Sequence, residues 1–119
     1  MPDRADMAPL RYLAGEVLTV SNAEKKVTET VMYVGGATTG RRLDIVKTLF
    51  IVRTAAIWHS DERVDGTPSA TGANGEIYED AGSRFWIKGW DSILNWNSIR
   101  DGAVDAVVQV RHYGRGEIT

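Results

Sequence analysis

A period of two between Ala103 and Tyr113 constrains this chain more than any other feature. Val104, Ala106, Val108 and Val110 take every second position, and Asp105, Gln109 and Arg111 fall between them. Side chains alternate sides along a strand, so this spacing predicts a half-buried antiparallel strand with the valines inward. On a helix the same residues would scatter around the circumference. The preceding Arg100-Asp101-Gly102 reads as a tight hairpin turn, since an Asp-Gly pair supplies the positive φ angles such a turn needs.

The alternation recurs upstream. In Arg84 to Trp90, Trp86, Lys88 and Trp90 face one way and Phe85 and Ile87 the other; Asp91 to Ile99 continues with Ile93 and Ile99 on one parity and Leu94 and Trp96 on the second. Leu10 to Val20 is rich in branched and aromatic residues, and Ser21 to Lys26 is a polar turn. Val27 to Val34 reads as a strand with Val27, Val31 and Tyr33 on one face, and Gly35 to Gly40 as a hairpin-sized connection. Leu43 to Trp58 is dense in β-branched residues, which favours one long bent strand or two strands. The alternative is a single helix packed on a sheet, with Leu43, Val46, Phe50 and Ile57 inward and Arg53 intruding on that stripe.

Roughly six to eight strands with short glycine-bearing turns predict an all-β fold, an antiparallel β-sandwich or jelly roll. At 119 residues the chain has room for one core, so residues 10–119 are expected to form a single domain. Residues 1–9, with Pro2, Pro9 and mixed charges, read as an extended N-terminal arm that either frays or lies on a neighbouring subunit. Ser60 to Gly75 is turn formers and charges, an expected long loop that is either a mobile surface segment or ordered by a partner.

Composition narrows the chemistry. Without cysteine there is no disulfide scaffold, thiol nucleophile or thiolate metal site. Fourteen basic and sixteen acidic residues leave a net charge of −2, which argues against nucleic-acid binding by bulk charge. Residues 1–60 carry 8 basic and 6 acidic groups, or +2, and residues 61–119 carry 6 and 10, or −4. That polarity suits head-to-tail or lattice contacts between unlike surfaces. No apolar run approaches the ~20 residues of a membrane span, and the N-terminus lacks a secretory core, so neither a membrane partner nor export is expected.

Motifs for catalysis are weak. His59-Ser60-Asp61-Glu62 puts an imidazole near carboxylates, but a solvated cap is the simpler reading than a general base with its orienting acid. His112 shares the parity of the buried valines and reads as a satisfied strand-end histidine. Glu76, Glu79 and Asp80 beside Asn74 lack the spacing of a calcium loop. Gly35 to Arg42 lacks the lysine of a phosphate loop, and no Gly-x-Ser-x-Gly elbow is present. The chain is therefore expected to be no enzyme, with no catalytic residue, metal or cofactor.

Tryptophan stands out instead. Trp86, Trp90 and Trp96 lie close together among Lys88, Asn95 and Asn97. Aromatic rings flanked by amides and charges can stack on a sugar and bond its hydroxyls, and the same types anchor protein interfaces. Trp90, bracketed by Gly89 and Asp91, is expected to be the exposed ring, whereas Trp86 and Trp96 are expected in the core or a subunit interface.

The pattern Phe85-Trp86-Ile87-Lys88-Gly89, followed by Ser98 to Val110, resembles the closing strands of small β-sandwich proteins that decorate phage particles. The resemblance lies in the C-terminal third and implies a non-enzymatic virion component: a capsid decoration, head spike or tail-associated subunit. Such a protein would assemble in the host cytoplasm and bind copies of itself and other virion proteins. The alternative is a carbohydrate-binding module or lectin, with glycans as partners and Trp86, Lys88, Trp90, Asn95, Trp96 and Asn97 as ligand residues.

Overall fold

The computed structural model describes residues 9–60 and 76–117. Among them the chain forms eight strands and one short helix: β1 (Arg11–Val20), β2 (Lys25–Lys26), β3 (Leu43–Val52), β4 (Ile57–Ser60), β5 (Ile77–Glu79), β6 (Arg84–Lys88), α1 (Trp90–Asn95), β7 (Asn97–Arg100) and β8 (Ala106–Glu117). They make two four-stranded sheets, in the orders β1-β8-β3-β6 and β2-β7-β4-β5. Every pairing is antiparallel, and first meets last: β1 with β8, β2 with β7, β3 with β6, β4 with β5. Successive pairs alternate between the sheets. That is one long double-stranded ribbon rolled up on itself, the wrapping of a jelly roll. The expected β-sandwich is thus the observed fold. The expected arm, except Pro9, and the expected loop, except Ser60 at the end of β4, lie outside the described residues.

Inward positions of both sheets supply the core. Leu18, Val20, Phe50, Val52, Val108 and Val110 come from the first sheet, and Ile57 from the second. Trp96 and Ile93 enter from α1 and its end, and Met32 from the connection after β2. Phe50 stacks on Phe85 at 5.1 Å and lies 4.4 Å from Trp96, bridging the layers. A buried aromatic at such a junction typically contributes about 3–5 kcal/mol relative to alanine.

The valine alternation reads correctly for Ala106, Val108 and Val110, all buried, but Val104 is 67% exposed and precedes the strand. The Asp-Gly hairpin is corrected as well. Strands β7 and β8 belong to different sheets, and neither Asp101 nor Gly102 has a positive φ. Residues 101–105 instead cross between layers, braced by an ion pair from Arg100 Nη1 to Asp105 Oδ1. Two residues of turn preference could not reveal that the flanking strands pair elsewhere.

Of three further segments, the first follows the strand reading and the other two depart from it. Leu43 to Trp58 is two strands, β3 and β4, and not a helix. The Val27 to Val34 strand is replaced by two 3₁₀ turns, Glu29–Met32 and Val34–Gly36. Glu16 on β1 accepts hydrogen bonds from the Thr28 N–H (2.9 Å) and hydroxyl (2.7 Å), so a carboxylate satisfies donors that a neighbouring strand would otherwise take. In the Asp91 to Ile99 stretch, Trp90, Ile93 and Leu94 have the i, i+3, i+4 spacing of a helix face, and they pack against the core from α1. The chain re-enters a strand only at Asn97. Gly35 and Gly36 both adopt positive φ in the connection before β3, and Tyr33 bridges to Arg42 across it as a hairpin would.

Candidate functional site

The register of the β1-β8-β3-β6 sheet places one set of side chains outward. Tyr113 lies opposite Tyr12 and Lys47, Arg111 opposite Gly15 and Leu49, and Gln109 opposite Val17 and Ile51. On the far side Lys47, Leu49 and Ile51 lie opposite Lys88, Trp86 and Arg84. Four cations, Lys47, Arg84, Lys88 and Arg111, share these three cross-strand rows, and no carboxylate stands in them; Asp44, nearer the start of β3, is paired with Arg115.

Its aromatic rings form a connected cluster. Tyr113 meets Tyr12 edge-on at 6.0 Å and Trp86 at 5.5 Å. Lys47 Nζ sits 4.1 Å over the Trp86 ring, and the Arg111 guanidinium 4.4 Å over Tyr12. Arg111 Nε also donates to the Tyr113 hydroxyl at 2.9 Å. Gly15 makes this possible: a Cβ there would stand 2.7 Å from the Tyr12 hydroxyl and 2.6 Å from the Val110 carbonyl oxygen. Tyr12, Val17 and Trp86 nevertheless remain 49%, 67% and 44% exposed. Rings held by cations on the face of a sheet are preorganised for contact, since little side-chain freedom is left to lose.

The second sheet bears a patch of opposite sign. Trp58 on β4 and Tyr78 on the edge strand β5 are register partners with rings 5.3 Å apart. Trp58 Nε1 donates to Asp101 Oδ1 at 2.7 Å, and the Tyr78 hydroxyl donates to Asp80 Oδ1 at 2.8 Å. The bond to Asp80, with the nearby negative charge of Asp80 and Asp101, raises the Tyr78 pKa above the ordinary tyrosine value. Tyr78 and its neighbour Ile77 are exposed.

The six residues expected to bind a ligand are dispersed. Trp86 and Lys88 share the cationic face. Trp90 is not the open ring: it packs on the core with Tyr33 edge-on at 5.6 Å and Arg42 at 4.0 Å over its face. Trp96 is fully buried. Asn97 is buried too, and its amide donates to the Asn95 carbonyl at 3.0 Å. Tyr12, Lys47, Arg111, Tyr113, Trp58 and Tyr78 were not singled out in the sequence. The outward parity of Arg111 and Tyr113 was readable; their neighbours on β1 and β3 are set by cross-strand register alone.

Comparison with protein-family models, with curated proteins and with solved structures returned no match.

The histidines are core residues. His59 is buried rather than a solvated cap, with its ring stacked on Phe85 at 4.1 Å. Trp96 Nε1 donates to His59 Nδ1 at 3.2 Å, which puts the ring proton on Nε2, 3.5 Å from Glu79 Oε1. Asp61, Glu62 and Asn74 lie outside the described residues. Glu79 and Asp80, considered above as cation ligands, thus face different partners, His59 and Tyr78. His112 is fully buried with Nδ1 2.6 Å from Thr48 Oγ1, and its Nε2 has no partner among the described residues. Burial alone lowers its pKa to about 4.

Proposed function

We propose that this chain is a non-enzymatic structural assembly protein, a phage virion component that serves as a capsid decoration, head spike or tail-associated subunit. It works by self-association and by binding a lattice of other virion proteins, and it assembles in the host cytoplasm. One observation carries the reading: the outward face of the β1-β8-β3-β6 sheet presents Trp86, Tyr12 and Tyr113 braced by Lys47 and Arg111. Tryptophan, tyrosine and arginine are the residue types that dominate interface energetics. At the level of fold, jelly rolls recur in capsid and lectin domains. The C-terminal resemblance to phage decoration proteins points the same way.

Light scattering over a concentration series tests this reading. Masses above the monomer that grow with concentration are expected; a chain that stays monomeric throughout and binds no purified virion lattice overturns it. The exposure of Trp86 beside Lys88 favours glycan binding as the second reading. Tryptophan fluorescence titrated with a glycan panel separates the two, because a glycan response abolished by Trp86→Ala in a monomeric protein would support the lectin.

A further inference from the structure

The two aromatic patches differ in sign and lie on different layers. On the first sheet, Lys47, Arg84, Lys88 and Arg111 have no carboxylate partner among the described residues. On the second, Asp80 and Asp101 are each held by an aromatic donor and have no cationic partner among them. Outward positions of β4, β5 and β7 carry no cation; Lys25 and Lys26 sit on β2, at the opposite edge of that sheet. Because the sheets pack face to face, the outward faces point apart, and one copy cannot satisfy both patches by itself.

We infer that copies of this chain dock head to tail, the carboxylate-rimmed Trp58–Tyr78 patch of one copy seating on the cationic Tyr12–Trp86–Tyr113 face of the next. The inference rests on the self-association proposed above and names its partner, a second copy. Two cationic faces brought together would repel, which disfavours a two-fold contact through that face. Unlike faces attract, bury aromatic surface at the centre and leave both patches open at the ends, so the contact propagates into a ring or a filament. Among the described residues β5 is the edge strand of its sheet, beside the acidic patch.

Two full-length double variants test the polarity, Lys47→Glu/Lys88→Glu on the basic face and Asp80→Asn/Asp101→Asn on the acidic patch. Each alone should associate about tenfold or more weakly than the unaltered chain. An equimolar mixture should form a one-to-one dimer that does not grow, since only one complementary pair of patches remains. Wild-type assembly in both variants, loss in only one of them, or no dimer in the mixture overturns the head-to-tail contact while leaving self-association standing. An unaltered chain that stays monomeric overturns both. Should a variant fail to fold, carbodiimide cross-linking of the unaltered multimer decides: bonds from Asp80 or Asp101 to Lys47 or Lys88 between copies are expected, and inter-copy bonds elsewhere only would refute it.

Discussion

Acidification should weaken this fold through His112, by an amount that follows from its surroundings. The imidazole points into the core from the middle of β8, between Thr48 on β3 and Ala14 on β1, and is fully buried. Burial holds its pKa at about 4, against 6.5 for an ordinary histidine. Between those values the unfolded chain binds the proton and the folded chain does not, so stability is complete above the window and falls as pH drops through it. Full protonation of one unfolded histidine, with its folded counterpart largely neutral, removes about 2 kcal/mol between about pH 8 and about pH 5. The loss reaches about 3 kcal/mol near pH 4, a large share of the ~5–15 kcal/mol that holds a domain folded. Urea denaturation at a series of pH values measures it. The control is Thr48→Val/His112→Leu, which removes both members of the buried hydrogen bond and the unpartnered Nε2. Replacing both partners by apolar groups of similar shape is nearly neutral at high pH, so the double variant should match the unaltered protein there and lose about 2 kcal/mol less by about pH 5. A wild-type stability that does not change across this range, or the same acid slope in both proteins, refutes the argument.

Two glycines and two tryptophans provide further tests. Gly114→Ala should destabilise by about 3 kcal/mol, because its Cβ would collide with the Asp44 carbonyl oxygen at the β3–β8 register shift. Gly35→Ala meets nothing within 4 Å and should lose only about 1 kcal/mol, through its φ of 76°; equal effects in thermal unfolding would contradict this ordering. Trp96→Ala empties the centre of the core and breaks the bond to His59, at about 3–5 kcal/mol. Trp86→Ala should change stability by about 1 kcal/mol or less while weakening self-association, and urea titrations giving the reverse order would be inconsistent with the burial pattern.

Much of the sheet was readable because β structure has a local signature. On β6 the two-residue period separates Trp86 and Lys88 from Phe85 and Ile87, and the structure keeps that division, with Phe85 and Ile87 on the core side. The failures share a cause. Val27 to Val34 has strand-like alternation, yet Glu16, twelve residues upstream of Thr28, takes its donors. Trp90, expected to be the exposed ring, packs inward because α1 turns it back onto Tyr33 and Arg42. The candidate surface was only half visible: Arg111 and Tyr113 alternate outward on one strand, but Tyr12, Lys47 and Trp86 join them by pairings that span most of the chain.

Sequence alone thus determined an all-β chain without thiol chemistry and which side of β8 faces inward, since these follow from residue type and a two-residue period. Tertiary structure decided which strands became neighbours, that first pairs with last across a rolled ribbon, and hence that cations and aromatics collect on one sheet while carboxylates flank the other's rings. The physical reason is range. Alternation is a property of adjacent residues, whereas register is set by burying two sheets against each other, and only register brings distant side chains onto a common face.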